Sequence, residues 1–421
     1  MKKLIGTVAV AALLASAAFA ELSISGGALQ LWSPVAYNGG DVMTEMRSPW
    51  GGGRTASIGF TWVSEDEKAG SAFTFVYDPF SENAAPDGNR IIWAKPWDFL
   101  KITFGHWDGI NDITLANTSS WYPWIRPSTW FAGDSHLYLE NEHTGAMIEL
   151  FPVDGLTVRV GLPFGDKEYK ETKLYDKDGN ELPSGISPVY MESGANKDLA
   201  YHMFEALHAE VEYTIADIVG LKLAWVGGAN SRDANFSAAS YKSGTDYINV
   251  GEIDVYANVI AVENLQLEVG ARINILNADK VAKKVASSLI GLKAGYAITD
   301  NFSVKADFGV LTYKKYDQGG VSYKYTPDFE FGVGVGVGLT DSLSLDADFR
   351  GLLPGKLDGG NKVDPTFSFM VGLSYACSTN ATVGIGFQGK TNGGEIGPLS
   401  KTSTDSKNFG FAVPILMNVS F

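Results

Sequence analysis

Long segments in which apolar and polar residues alternate run through most of this chain, and this period of two limits its possible folds more than any other feature. Every odd position from Phe409 to Phe421 is apolar, whereas the even positions include Asn408, Gly410 and Asn418. A β-strand places successive side chains on opposite faces, so each such segment predicts a strand with one apolar face. No stretch shows convincing helical spacing, and the chain is predicted to be all-β.

The length of these segments and the connections between them separate two all-β architectures. The segments run over about 10 to 16 residues, whereas strands of soluble proteins centre near five or six and tilted strands that cross a bilayer are longer. Short connections are predicted at 262–264, 299–301, 340–342 and 378–380. Long polar, Gly-rich connections are predicted at 163–199, 231–246, 316–321, 354–365 and 393–407. This asymmetry is typical of outer-membrane barrels and disfavours a soluble β-sandwich.

Counting strands backwards from the chain end, with a long loop before every inward strand, gives about eighteen. The expected fold is therefore a closed transmembrane up-and-down antiparallel β-barrel, for which an even number of strands is required. Residues 136–151 are counted as one strand, although they could form a hairpin that turns at 141–144. Sixteen strands is the alternative. Residues 21–421 are expected to form a single barrel domain.

The first twenty residues predict export. Lys2 and Lys3 precede an uncharged apolar run at 4–17, and Ala18 and Ala20 provide the small-x-small pattern of a cleavage site. The run is shorter than the roughly 20 residues that span a bilayer, which disfavours a retained membrane helix. Residues 1–20 are therefore expected to be a cleaved signal peptide.

Charge and cysteine content exclude several classes of function. The chain has 33 basic and 48 acidic residues, and this negative balance opposes nucleic-acid binding. The single cysteine, Cys377, supplies neither an internal disulfide nor a Cys-rich metal site. The calcium-type spacing that starts at Asp176 has Glu181 where glycine is needed. No histidine is spaced convincingly with a nucleophile, so we expect no enzyme activity, cofactor or metal.

The export signal, the amphipathic strands and the last strand together resemble the bacterial outer-membrane porins, although no family-specific motif is present. In those proteins, alternating apolar residues that end in an aromatic form the assembly signal, and Phe421, Val419 and Met417 match it. The resemblance implies an integral outer-membrane location in contact with lipid, a homotrimer, and assembly by the barrel-assembly machinery through the C-terminal strand.

The resemblance also implies a constriction. In trimeric porins the loop at this place folds into the barrel, and here the loop over residues 107–135 is rich in aromatic and charged side chains. The expected constriction residues are Asp108, Asp112, Trp121, Tyr122, Trp124, Arg126, Trp130, Phe131 and Asp134. Packing of these rings on the barrel rim or against a neighbouring subunit is the alternative.

In lipid, the polar side of each strand faces the barrel interior. This rule predicts seventeen interior side chains: Lys101, Arg159, His208, Glu210, Glu212, Lys222, Glu252, Asp254, Glu268, Arg272, Lys293, Lys305, Asp307, Glu330, Asp346, Asp348 and Arg350. Nine are acidic and seven are lysine or arginine, which predicts a mild preference for cations. For any single residue, a wall charge that is paired and only stiffens the barrel is the other interpretation.

The predicted function is a water-filled channel for passive diffusion of small hydrophilic solutes and ions. An aromatic constriction could also pass sugars by stacking on their rings. A surface adhesin or receptor barrel without an open channel is the alternative, and it would use the long loops at 163–199 and 231–246.

Overall fold

The computed structural model describes the barrel wall and its short turns. The described residues are 20–37, 40–47, 56–78, 83–107, 113–114, 130–131, 134–135, 138–139, 143–163, 207–227, 249–276, 284–361, 364–391 and 409–421. The expected signal peptide lies outside the described residues except for Ala20. Among the residues that are described, no helix is long and apolar enough to cross a membrane.

The described residues form strands joined by turns. The strands are β1 (Ala20–Tyr37), β2 (Val42–Arg47), β3 (Ala56–Ser64), β4 (Ala69–Asp78), β5 (Asn83–Trp97), β6 (Leu100–Trp107), β7 (Ile113–Thr114), β8 (Trp130–Phe131), β9 (Asp134–Ser135), β10 (Tyr138–Leu139), β11 (His143–Val153), β12 (Leu156–Pro163), β13 (His208–Ile215), β14 (Val219–Gly227), β15 (Asn249–Val259), β16 (Leu265–Leu276), β17 (Ala286–Thr299), β18 (Phe302–Tyr313), β19 (Tyr316–Gln318), β20 (Val321–Tyr323), β21 (Asp328–Gly338), β22 (Leu343–Leu353), β23 (Thr366–Ser378), β24 (Ala381–Lys390) and β25 (Gly410–Ser420).

The first and last strands close the sheet on itself. β1 pairs with β25 from Gly27 opposite Ser420 to Tyr37 opposite Phe411. On its other edge β1 pairs antiparallel with β3 along its first half and with β2 along its second half. β2 and β3 therefore act as two pieces of one strand. The fold is a closed antiparallel barrel of eighteen strands, which confirms the predicted fold class and strand number.

Among the described residues, the short turns that join neighbouring barrel strands lie at one end of the barrel, as predicted. Two-residue turns follow β5, β11, β17 and β23, and the start of β1 and the end of β25 lie at the same end. We call this the turn end and the opposite end the loop end. Antiparallel neighbours joined by such tight turns are consistent with an up-and-down order along the chain.

Two segments differ from the alternation-based prediction. The strand expected over residues 136–151 begins only at His143, as β11. Alternation over residues 322–339 also predicts one strand, but β20 ends at Tyr323 and β21 begins at Asp328. Pro327 lacks an N–H group and cannot donate a hydrogen bond to a sheet ladder, so pairing is interrupted there. The β19–β20 hairpin turns at Gly319 and Gly320, which adopt φ of +59° and +79°.

The two faces of the wall reverse the usual distribution of polarity. Glu252 and Asp254 on β15 are 0 % and 2 % exposed, whereas the next residue of the same strand, Val255, is 43 % exposed. Large apolar side chains on the outer parity of β16 to β18, such as Ile273 and Phe308, are likewise exposed. The interior of the barrel is charged and its outer surface is apolar.

Candidate functional site: the charged interior wall

The interior wall is built by strand parity, because register partners on adjacent antiparallel strands share one face of the sheet. The fifteen candidate pore-lining residues all occupy the interior parity: Lys101, Arg159, Glu210, Glu212, Lys222, Glu252, Asp254, Glu268, Arg272, Lys293, Lys305, Asp307, Asp346, Asp348 and Arg350. His208 and Glu330 share this face and are buried.

On one side of the barrel, charges of opposite sign alternate across five adjacent strands, β6 and β11 to β14. We call this set the paired ladder, and its members are Lys101, Glu149, Arg159, Glu210, Glu212 and Lys222. It contains as many acids as bases. Its net charge is therefore zero.

Arg159 is the centre of the paired ladder. Its guanidinium Nε lies 3.2 Å from Glu149 Oε1, and its Nη1 lies 2.9 Å from Glu212 Oε2 and also donates to Glu210. Lys101 Nζ approaches the other oxygen of Glu149 to 2.6 Å. Each carboxylate of the ladder thus has a cationic partner on a neighbouring strand, which is what a buried charge needs.

Two smaller ion-paired groups follow on β15 to β17. Arg272 lies 3.1 Å from Glu252 and 3.2 Å from Asp254, both on the adjacent strand. Lys293 Nζ lies 3.9 Å from Glu268 Oε1. These pairs continue the interior lining towards the part of the wall where acids predominate.

On β18, β21 and β22 the pattern changes. We call this set the acidic strip, and its members are Lys305, Asp307, Glu330, Asp346, Asp348 and Arg350. Four members are acids and two are bases, so its formal net charge is −2. The middle strand, β21, contributes glycine at the interior positions 332, 334 and 336.

The glycines let side chains meet over the middle strand. Gly332 is the register partner of Asp307 on β18 and of Arg350 on β22. The Arg350 guanidinium reaches 3.8 Å from Asp307 although the two strands are not neighbours. A Cβ atom at Gly332 would lie 2.8 Å from Asp307 Oδ1. The Asp307 carboxylate therefore occupies the space that a side chain at position 332 would fill.

Towards the loop end the interior becomes apolar and then polar again. Leu289, Leu311 and Leu352 form a buried cluster directly beyond the acidic strip. Beyond that cluster, Asp328 accepts hydrogen bonds from the Tyr313 hydroxyl and from the backbone N–H of Gly355. These contacts tie together three connections at the loop end.

Lys284 contacts both Asp328 and Tyr313 in this group at the loop end. Its ammonium group lies 3.9 Å from the centre of the Tyr313 ring and 3.9 Å from Asp328 Oδ2. Burial lowers the pKa of Lys284, and the nearby Asp328 carboxylate opposes that decrease. The aromatic contact is a cation–π interaction, which favours the charged amine.

At the turn end, exposed charges stabilise the first short turn. Lys68 donates to Asp98, and this contact lowers the pKa of the Asp98 carboxyl. The pKa of Asp66 is also lowered, chiefly because the Ser64 hydroxyl donates to it at 2.7 Å.

Sequence reasoning missed several interior residues. Glu149 on β11 and Lys390 on β24 are buried, and Trp93 on β5 lies beside its register partner Thr103 on the interior face of the wall. The Lys101 ammonium lies 5.7 Å from the Trp93 ring. Strict parity between exposed Ile148 and Leu150 would have identified Glu149. Glu149 and Lys390 add one charge of each sign, so the acidic excess of the wall is unchanged.

The expected constriction lies largely outside the described residues. Asp108, Asp112, Trp121, Tyr122, Trp124 and Arg126 are not described. The backbone of Trp130 and Phe131 pairs with Ser135 and Asp134 in a two-stranded ribbon. The inward folding of residues 107–135 therefore stays a prediction.

The predicted assembly residues lie on the outer face of β25. Met417 and Val419 are exposed there. Phe421 exchanges backbone hydrogen bonds of 3.0 and 2.9 Å with Gly26, and its ring covers the space that a Gly26 side chain would fill. The last residue is thus held at the seam where the barrel closes.

Comparisons with known proteins find solved structures of similar fold but no match by sequence. No family model and no curated protein sequence matches the chain. OmpF of Salmonella typhi, solved in complex with daunomycin, is 12 % identical, with 95 % of this chain and 97 % of that chain covered and a TM-score of 0.53. OccAB1 of Acinetobacter baumannii is 12 % identical, with 96 % of both chains covered and a TM-score of 0.52. The fold is that of bacterial outer-membrane porins, as the resemblance predicted.

Proposed function

We propose that the protein is a channel of the bacterial outer membrane through which small hydrophilic solutes and ions diffuse passively. The observation that carries this proposal is the charged interior of a closed eighteen-stranded barrel whose outer surface is apolar. An apolar outer face matches lipid chains, and a charged interior matches water and dissolved ions. The proposal includes export through a cleaved signal peptide at residues 1–20 and one barrel domain over 21–421.

Selection would arise from size and charge. The loop over residues 107–135, folded inward, would set the size limit. The acidic excess of the wall would raise the local concentration of cations and give a mild cation preference. Sugars that stack on the aromatic side chains of the constriction are candidate solutes. The chemistry is transport without catalysis, so no enzyme activity is proposed.

The proposed location in the outer membrane implies the partners of the protein. The outer face of the barrel would contact lipid, and Phe421, Val419 and Met417 would present the signal for the barrel-assembly machinery. A homotrimer is the proposed assembly.

Reconstitution into planar bilayers tests this function against an adhesin or receptor barrel. We expect stepwise ohmic conductance, and a reversal potential in a KCl gradient that favours cations. A barrel that is silent yet retains binding to a host ligand would contradict the channel and support the adhesin. Deleting residues 110–133 should raise conductance, and an unchanged conductance would contradict the constriction.

A further inference from the structure

A groove crosses the outer face of the barrel on the side that carries the acidic strip. Its volume is about 640 Å³, and outer-face side chains from Leu265 on β16 to Val371 on β23 line it. Ala294 and Ala306 are register partners on β17 and β18, and Ala347 lies on β22. The residues around these alanines on the same face are larger. The groove is therefore a depression made by small side chains within a wall of large ones.

Large side chains form the two banks of the groove. On the loop side Phe349 and Phe369 line it, and the centre of the Phe349 ring lies 6.1 Å from that of Phe331. On the turn side Tyr296 lines it. The outer-face residues of the groove are all apolar apart from the Tyr296 hydroxyl. Because the rings already pack against one another, the groove is preformed, as apolar ligand sites usually are.

The length and slope of the groove match one acyl chain of a lipid. The groove follows register partners across six adjacent strands, which at about 4.8 Å per spacing gives a length of roughly 24 Å. Strands that cross a bilayer tilt by about 45°, so a groove at right angles to them rises by roughly 17 Å along the membrane normal. One leaflet supplies half of the hydrocarbon core, or about 15 Å. A chain of one leaflet can therefore follow the groove along its length.

The lower end of the groove lies at the turn end of the barrel. Leu265 is the first residue of β16, and its register partner Tyr296 lies close to the end of β17. The other end, at Val371, lies near the middle of β23. The turn before β16 contains Glu263 and the turn after β17 contains Asp300, and both residues are exposed. The lower end of the groove thus opens between two acidic turns.

The charge of the turn end selects a class of lipid headgroup. The eight turns that join the described strands at this end contain nine acidic residues and one lysine, at positions 65–68, 98, 154, 217, 263, 300 and 341. These acids repel a headgroup whose only charge is its phosphate. A headgroup that also carries a primary ammonium can donate charge-assisted hydrogen bonds to carboxylates.

We propose that the groove binds one acyl chain of a phospholipid with a primary ammonium headgroup, and that the headgroup lies beside Glu263 and Asp300. A second copy of the barrel would present a convex outer surface, which fits a narrow groove less well than a flexible chain does. The proposal rests on the proposed placement in the outer membrane. It does not require an open channel.

Native mass spectrometry of the whole protein tests the site. Wild-type barrel is folded into bilayers that contain equal amounts of phosphatidylethanolamine and phosphatidylglycerol with the same chains, and is then extracted into detergent. We expect one retained lipid per barrel and an approximately threefold preference for the ethanolamine headgroup, since two exposed charge contacts contribute little each. Equal retention of the two lipids, or retention of neither, would overturn the proposal. This comparison needs no variant to fold.

Filling the groove tests where the chain lies. Ala306→Phe should lower lipid retention by about fivefold, because its ring takes the space of the chain. Ala257→Phe is the matched control, since Ala257 lies on the outer face of β15 between Leu221 and Val269 and does not line the groove. The control should keep the lipid. Full retention in Ala306→Phe would contradict the assigned position.

Neutral turns test where the headgroup lies. The double variant Glu263→Gln with Asp300→Asn should retain one lipid and lose the preference for ethanolamine. The double variant Glu65→Gln with Asp154→Asn makes the same chemical changes in turns away from the groove and should keep the preference. An equal loss in both would contradict a headgroup position beside Glu263 and Asp300.

The same spectra and conductance separate the other outcomes. A lipid-free dimer that Ala306→Phe splits would overturn the proposal and show that a second copy covers the groove. Selective retention of the ethanolamine lipid by a barrel that stays silent in bilayers keeps the site and removes the proposed channel. Stepwise conductance without headgroup preference keeps the channel and removes the site.

Discussion

The paired ladder and the acidic strip occupy the same interior face of one barrel, yet acids and bases balance in the ladder and acids exceed bases in the strip. In the ladder, adjacent strands carry alternating signs, and Arg159 contacts three carboxylates. In the strip, the glycines of β21 lie between the charged residues of β18 and those of β22, and the acids outnumber the bases. Parity decides that a side chain faces inward, and pairing decides whether its charge is balanced by a neighbouring side chain of the wall.

The largest expected effect comes from removing the arginine of each region. Arg350→Met should destabilise the barrel by about 3–5 kcal/mol, because breaking a buried ion pair leaves uncompensated charge. Arg159→Met should cost roughly half as much, since Lys101 still pairs with Glu149 and Lys222 with Glu210. Urea unfolding of the two variants, followed by tryptophan fluorescence, measures the difference. Equal losses would remove the distinction between the two regions.

The glycine strand offers a second, smaller test. Gly332→Ala should destabilise the protein by about 1–3 kcal/mol, because the new methyl group displaces the Asp307 carboxylate. Gly336→Ala is the control, since its nearest neighbour is the Ser303 hydroxyl at 3.0 Å. We expect a smaller loss for the control in the same unfolding experiment. A larger loss for Gly336→Ala would show that Gly332 does not have the assigned role.

Ion selectivity should change when the net charge of the acidic strip changes. It should stay the same when the paired ladder loses one acid and one base together. Asp348→Asn should move the reversal potential in a KCl gradient towards anions. The double variant Glu212→Gln with Lys222→Met removes one charge of each sign and should leave the reversal potential nearly unchanged. A shift of equal size in both would contradict the assignment of selectivity to the acidic strip.

The smallest effect is expected at the turn end, outside both regions. The folded-state pKa of Asp98 is lowered, so its contact with Lys68 stabilises the fold at pH values above the ordinary pKa of aspartate. This contribution is lost as pH falls through the lowered value. Because both groups are exposed, salt should screen the contact. Wild-type protein and Asp98→Asn are compared by thermal unfolding at low and high salt, near neutral and acidic pH. A difference that persists in acid would contradict this origin.

Alternation predicted the wall well because a barrel in lipid repeats one rule on every strand. The turn at 299–301 and the interior position of Asp307 follow directly from it. The break before Asp328 did not follow, since tyrosine and lysine alternate through that segment as they would in a strand. Pro327 was the residue that could have predicted the break, because proline has no N–H to donate to a sheet ladder.

The contacts between charges could not be predicted from parity. Arg350 meets Asp307 across Gly332, from two strands that are not adjacent, so the pair depends on register and on the absence of a side chain. Glu149 was missed although it alternates with Ile148 and Leu150, which are both exposed on the outer face. Its strand, β11, begins at His143 and not at residue 136. Register is set by turns and pairing in three dimensions, which one sequence does not display.

The direction in which each parity faces can be measured with single cysteines in a Cys377→Ser background. Lys305→Cys places the thiol on the interior face, and Ala306→Cys places it on the outer face one residue away. In planar bilayers, a charged, water-soluble thiol reagent should reduce the conductance of Lys305→Cys in steps and leave Ala306→Cys unaffected. Block of Ala306→Cys with no effect on Lys305→Cys would contradict a water-filled interior enclosed by an apolar outer surface.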